Sequence, residues 1–347
     1  MPDQKKETIQ RKKDHIQLCL NDDVGFSYLT NGLENYYFEH NAITEVQFDK
    51  IDLTTKFFGH KISYPFLISC MTGGTSEAEK INESLAIVVN QLNIPIGVGS
   101  QRQALESDDY HTTYATVKKN AKDVPILANI GAAQVASIKE IKPFQKIVDL
   151  VEASALVIHV NPLQEVLQKS GEPNFTGLLK RIEILVNKLK VPIIVKEVGS
   201  GISRKSAKQL LEVGIEGIDV AGAGGTSWSQ VELKRNKQQD EYFRNWGLPT
   251  SYCLREVNTL KKKYSFTLIS SGGIYSGIEI AKSIALGADI AASARPLLQS
   301  ILKSGVDGTI KLIDNWFKEV RKIMYLTGSK NIKALSKQKL IRKSELY

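Results

Sequence analysis

The sequence predicts an α/β fold of the (β/α)8 TIM-barrel class, and three observations carry that expectation. Short, β-branched apolar runs recur eight times along the 347 residues, with helix-length segments between them. The runs are continuously apolar rather than alternating, as in parallel strands covered on both faces. The junctions are punctuated: Pro65, Pro125 and Pro192 each open a run, and Gly214 and Gly287 close a helical segment just before one. Eight such units favour a closed barrel over an open doubly wound sheet.

In order, strands are expected over 66–71, 94–99, 126–130, 155–160, 193–198, 217–221, 267–271 and 289–292. Helices are expected over 77–91, 177–190, 204–212 and 277–286. Two echoes support a repeated unit, GIEGIDVAGAGG at 214–225 and GADIAASARP at 287–296; each is a glycine-led strand running into a loop of small residues. Residues 1–64 read as an N-terminal extension and 65–347 as the barrel. The stretch 222–250 is long for a strand-to-helix connection and reads as a lid or substrate loop.

Composition narrows the class. With 42% hydrophobic and 24% charged residues the chain can bury a sizeable core. The formal charge is +9, but basic residues are spread along the chain. They are densest near the ends, at Lys5, Lys6, Arg11, Lys12 and Lys13 and at Lys337, Lys339, Arg342 and Lys343. Aromatics make up only 7% and form no stacking motif, so an anionic small molecule is expected rather than nucleic acid. The first twenty residues lack an apolar stretch, so no secretory signal is expected. No run approaches the ~18 apolar residues of a membrane span. Cys19, Cys70 and Cys253 are far apart without metal-ligand spacing, which suits a reducing cytoplasm.

Barrel chemistry sits where strands end. Here all eight expected ends are polar or glycine-rich: Met71-Thr72-Gly73-Gly74, Gly99-Ser100-Gln101-Arg102, Asn129-Ile130-Gly131, His159-Val160-Asn161, Lys196-Glu197, Ala221 to Ser227, Ser270-Ser271-Gly272-Gly273 and Ser293-Ala294-Arg295. Core packing does not explain such convergence. Glycine lets backbone approach an anion, and the loops after strands seven and eight of a barrel often hold phosphate. The loop at 222–227 lacks the last glycine of the dinucleotide fingerprint, and there is no Walker loop.

Lys196 interrupts an apolar strand, Ile193-Ile194-Val195, where a lysine is costly unless it faces an anion or a proton-transfer site. A flavin would use such a cation beside the N1 and C2 carbonyl of its ring. His159, Asn161, Gln164 and Glu165 cluster after strand four, and Glu165 is a hard oxygen ligand suited to Mg²⁺ shared with phosphate. Arg102 and the N-terminal Arg11, Lys12 and His15 are further expected cations, of the kind paired phosphates need.

In this order the motifs resemble the FMN-dependent, type 2 isopentenyl-diphosphate isomerases. The matching stretches are RKKDHI at 11–16, MTGG at 71–74, GVGSQR at 97–102, NIGA at 129–132, HVNPLQE at 159–165, VKEVGSGIS at 195–203, IDVAGAGGTSW at 218–228, WGLPT at 246–250 and SGGI at 271–274. They span nearly the whole chain; HVNPLQE and DVAGAGGTSW are long and specific. The resemblance implies interconversion of isopentenyl and dimethylallyl diphosphate with reduced FMN, Mg²⁺, NADPH as reductant, and assembly as a homo-oligomer, tetramer or octamer. It places FMN against Cys70, Met71, Thr72, Ser100, Asn129, Lys196, Thr226, Gly272, Gly273, Ala294 and Arg295. It places substrate against Arg11, Lys12, Arg102, His159, Asn161 and Gln164, metal on Glu165, and catalytic roles on Lys196, Gln164 and His159. Tyr275, where relatives often have arginine, Cys70, where a small residue is common, and the bulky Arg295 depart from the pattern.

The rival reading is an FMN barrel oxidoreductase of the 2-hydroxy-acid oxidase type. That chemistry needs a base histidine and an arginine in the late loops. All five histidines here lie at or before position 159.

Overall fold

The structure is a computed structural model that describes residues 2–21 and 23–347, with the side chains of 2–9, Lys5 and Lys6 among them, outside the description. Eight parallel strands close into a barrel in sequence order. They are β1 (Phe66–Ile68), β2 (Ile96–Gly97), β3 (Ile126–Gly131), β4 (Ala155–Val160), β5 (Ile193–Glu197), β6 (Gly217–Asp219), β7 (Thr267–Ser270) and β8 (Ile290–Ser293). All eight expected strands are present, and β1 and β2 are shorter than their apolar runs suggest. After Ile68 the chain leaves the ladder and lays Thr72 on Gly99, whose amide donates to the Thr72 carbonyl at 2.9 Å. A Cβ on Gly99 would stand 2.4 Å from the Thr72 carbonyl carbon, so the glycine is what permits this approach. Buried Asn82, on the helix Ser76–Leu92, clamps the same loop by donating to the Thr72 and Thr113 carbonyls.

The expected helices form within one to two residues of their predicted bounds, as Ser76–Leu92, Leu178–Lys188, Arg204–Glu212 and Gly277–Ala285. Capping explains where several begin. Thr75, Ser203 and Ser276 each accept from a backbone amide in the first turn. The stretch 222–250 is not an open loop. Ser227 caps a helix, Trp228–Arg235, and Asp240 caps a short one, Glu241–Arg244.

The N-terminal extension is built into the barrel at three places. A hairpin, Thr55–Phe57 with His60–Ile62, sends Phe57 and Ile62 into the barrel interior beside Leu67, Leu127, Val157 and Ile194. Strand Tyr36–Phe38 pairs antiparallel with Leu340–Arg342, tying the two ends of the chain together. Residues 24–31 stitch the loops after β6 and β7. Ser227 N donates to Val24 O, Ser251 N donates to Asn31 O, and the Asn31 side chain donates to Gly273 O and Glu279. Among the described residues no helix is long and apolar enough to cross a membrane. The three cysteines are free.

Candidate active site

Side chains two residues apart on a strand share a face. The lower barrel interior is apolar, formed by Leu127, Val157, Ile194, Ile269 and their neighbours. Two residues further along, the same faces carry Asn129, His159, Lys196 and Ser271, with Asp219 following Gly217 on β6. His159 is the register partner of Lys196, and Lys196 of Asp219. The barrel thus ends in a polar floor, reached after one step of the strand period from an oily core.

The floor is wired from one side. Gln101 is fully buried and holds Asn129 by main and side chain: its amide donates to Asn129 O at 2.8 Å, and its Oε1 accepts from Asn129 N at 2.9 Å. Asn129 Nδ2 donates to Val98 O at 3.2 Å, so its Oδ1 is left to accept from His159 Nδ1 at 2.9 Å. Burial, reinforced by the charge of Lys196, pushes His159 down to about 4. The ring is therefore neutral, with its proton on Nδ1 and a lone pair on Nε2. This favours an orienting or accepting role for His159 over donation to a phosphate oxygen.

On the other side, Lys196 Nζ donates to Glu197 O at 2.6 Å. Ser271 Oγ donates to Asp219 Oδ1 at 2.6 Å, and Ala221 N donates to the same oxygen at 3.2 Å. Glu197 faces outward and its carboxylate gathers the amides of Val198, Gly199 and Ser200, which shapes the loop after β5.

A cavity of about 290 Å³ opens above this floor. All of Arg11, Lys12, Cys70, Met71, Thr72, Ser100, Arg102, Asn129, His159, Asn161, Gln164, Glu165, Lys196, Thr226, Gly272, Gly273, Ala294 and Arg295 line it. The N-terminal helix, Pro2–Asn21, roofs the cavity of its own chain with Arg11, Lys12, His15, Ile16 and Cys19. Lys12 Nζ donates to Gly73 O and, at 3.3 Å, to Tyr114 OH. Burial first, then the neighbouring Arg11, pushes Lys12 down to about 7. Arg11 is itself lowered by burial and by Arg102.

The roof is latched by Glu232, which is fully buried on the helix Trp228–Arg235. His15 Nε2 donates to Glu232 Oε1 at 2.8 Å, Gln164 Nε2 donates to the same oxygen at 3.1 Å, and Arg235 donates to Oε2 at 2.7 Å. Burial pushes Glu232 up, but these donors outweigh it and hold the carboxylate below its usual value. His15 is pushed down by burial against the pull of Glu232. Its link to Glu232 is thus a hydrogen bond from a neutral ring, which corrects the expectation that His15 is a cation.

Other expected anion contacts already have protein partners. Arg102 bridges Glu106 at 3.0 Å and Glu172 at 2.9 Å, and these carboxylates outweigh burial to raise its pKa. Arg295 Nε donates to Cys19 O at 2.8 Å and so also braces the N-terminal helix. Glu165 accepts from Asn161 Nδ2 at 2.9 Å and from the Glu172 amide at 2.7 Å. Among the described residues no group of three His, Cys, Asp or Glu could hold a metal alone, so a metal on Glu165 would take its remaining ligands from elsewhere. Asn161 Oδ1, buried and lining the cavity, has no hydrogen-bond partner.

Opposite this cluster lies a backbone cradle. Gly272 and Gly273 adopt φ +98° and +76°, the left-handed region that favours glycine. A Cβ on Gly272 would stand 2.1 Å from Gly222 O, and one on Gly273 2.5 Å from Gly224 O. The helix beginning at Arg295 points its N-terminus at the same wall, a favourable place for a phosphate. The glycines, the helix end and the lysine of the floor suit an FMN: phosphate at one end, electron-accepting ring at the other.

Glu232, Tyr114 and Asp219 escaped sequence reading. Each is an ordinary helix or strand residue in sequence, and only contacts with residues 23–217 positions away give it meaning.

Residues 121–342 match the FMN-dependent dehydrogenase family. The chain is 43% identical to the isopentenyl-diphosphate delta-isomerase of Chlorobaculum parvum, covering 97% of this chain and 98% of that protein. It is also 43% identical to the protein of that name from a Nostoc species, over 95% of this chain and 94% of that one. Among solved structures, a crystal structure of mandelate oxidase superposes with a TM-score of 0.67 at 16% identity, over 96% of each chain; that likeness shows the fold. The chain belongs to the isopentenyl-diphosphate delta-isomerase family, in its FMN-dependent form.

Proposed function

We propose that this chain interconverts isopentenyl and dimethylallyl diphosphate, with FMN held in reduced form by NADPH and Mg²⁺ on the diphosphate. The observation that carries the reading is the crowding of Arg11 and Lys12, on the roof, with Arg102, from the loop after β2, around a cavity whose far wall offers a backbone cradle suited to phosphate. Burial and mutual repulsion depress both Arg11 and Lys12, and a polyanion relieves both effects. Two separated anion sites fit a phosphorylated cofactor and a diphosphate substrate.

When bound and reduced, FMN supplies an acid–base group for alkene carbons that no carbonyl activates. The chain's own residues do the rest. Lys196 offers positive charge to the flavin ring. Gln164, fixed by Glu232, positions the substrate beside it. His159, fixed by Asn129, presents an acceptor rather than a charge. The N-terminal helix excludes water, which strengthens every charge interaction beneath it. For Mg²⁺, Glu165 and the unpartnered Asn161 Oδ1 are hard oxygen donors side by side, and substrate phosphate would complete the shell. Three free cysteines suit a cytoplasmic setting, and we place the enzyme there as a homo-oligomer, tetramer or octamer.

The oxidase reading finds less support. Among the described residues only His15 and His159 line the cavity, and neither stands in the late barrel loops where that chemistry needs its base histidine. An anaerobic assay decides between the two. The purified protein should be yellow, bleach with NADPH, and then convert isopentenyl diphosphate without consuming NADPH in step with product. A colourless protein that gains no activity with FMN, or one that consumes one NADPH per turnover, overturns the proposal.

A further inference from the structure

Asp219 is 1% exposed in the barrel interior, yet it contributes no apolar packing and lies outside the residues assigned to cofactor, metal or substrate above. A carboxylate so placed is costly unless cations and donors hold it. It has both. Ser271 Oγ donates at 2.6 Å, a length typical of a hydroxyl on an ionised carboxylate, and Ala221 N adds a second bond. Beside it in the ladder, on the same inward face, stands Lys196. Burial outweighs the pull of Lys196, Ser271 and Ala221 and raises the Asp219 carboxyl above its usual value, so its charged form relies on the ammonium and donors beside it.

The other titratable groups of the floor are uncharged. His159 is held at about 4, and the Cys70 thiol is pushed up to about 12, in both cases chiefly by burial. Glu197 turns its carboxylate out to the loop amides. Lys196 and Asp219 are therefore the ammonium and the carboxyl that stand side by side on the floor. Reduction adds negative charge to a flavin, so a lone ammonium beneath it would draw electrons in strongly, and a carboxylate beside that ammonium opposes the pull.

We propose that Asp219 is a positioning residue: the buried counter-charge of Lys196, which limits how strongly the floor draws electrons into a flavin bound above it. The inference rests on the FMN reading and concerns the potential of that flavin rather than turnover.

The test compares the FMN-loaded wild-type protein with Asp219→Asn, Lys196→Gln and the double variant. The two-electron midpoint potential is measured by anaerobic dye-linked titration, with thermal melting to verify folding. Asparagine keeps the shape and can still accept from Ser271. The expected result is a rise in Asp219→Asn of at least tenfold in the reduction equilibrium, about 30 mV for a two-electron couple. Lys196→Gln should lower the potential, and adding Asp219→Asn to it should recover part of the loss. An unmoved or lowered potential in Asp219→Asn overturns the inference. If that variant does not fold, the comparison of Lys196→Gln with the double variant decides, because removing both charges leaves no unpaired ion. A double variant equal to Lys196→Gln again overturns it. Yellow variants with unmoved potentials sink the counter-charge alone, whereas a wild-type protein that takes up no FMN sinks the flavin reading with it.

Discussion

His15 Nε2 lies 2.8 Å from Glu232 Oε1, and this single bond joins the N-terminal helix to the helix after β6 across 217 residues of sequence. Because Glu232 also receives Gln164, the lid and a substrate-positioning amide share one buried anchor. Glu232→Gln removes the charge that all three donors rely on. Hydrogen bonds to a charged group contribute about 1.5–3 kcal/mol, so KM for the diphosphate should rise roughly tenfold or more. Hydrogen exchange at residues 10–21 should quicken in parallel. A raised KM with unchanged exchange would mean that Glu232 acts on Gln164 without holding the lid.

His159 makes acid stability a readout of the floor. Its folded pKa is about 4 against an ordinary 6.5. Below pH 6.5 the unfolded chain takes up a proton that the folded ring refuses until about pH 4, so stability falls across that window. The contribution lost is on the order of 3 kcal/mol. His159→Gln should flatten this limb of a denaturant-midpoint profile measured from pH 7 to 4. An unchanged slope would mean that the ring is not buried neutral.

Gly272 is expected to be indispensable to the cradle. At φ +98°, with Gly222 O only 2.1 Å from any Cβ, Gly272→Ala must shift backbone on two loops. The variant should purify without yellow colour and melt lower. Gly177→Ala is the control, since that residue has φ +76° but nothing within 4 Å of its Cβ. It should lose only about 1–2 kcal/mol of local backbone energy and keep its flavin.

Glu165→Gln tests the metal. Its carboxylate is the charged member of an oxygen pair with Asn161. The Mg²⁺ concentration giving half-maximal activity should rise about tenfold or more, as expected when a hard anionic ligand becomes neutral. Unaltered metal dependence would remove Glu165 from that role.

Much of this was legible in the residues. In Ala155–Val160 every residue but His159 is apolar, and a run of that kind has few stable homes besides a covered parallel strand. The period of two then carries Lys196 inward from Ile194, so its odd place in an apolar strand already marks the cavity floor. Glycines at 272 and 273 announce backbone geometry closed to other residues. Motif order alone shows the family resemblance.

The residues alone therefore dictate local features: strand and helix periods, caps, and the polar ends of eight strands. The tertiary structure decided which charges survive. Burial and neighbours make His15 and His159 neutral, lower Lys12 to about 7, and pair Arg102 with Glu106 and Glu172. It also decided that Phe57 and Ile62 plug the barrel and that the N-terminal helix roofs its own chain's cavity. The physical reason is the same in each case. Desolvation and Coulomb terms depend on distance in space, and closing the barrel sets those distances between residues that lie far apart along the chain.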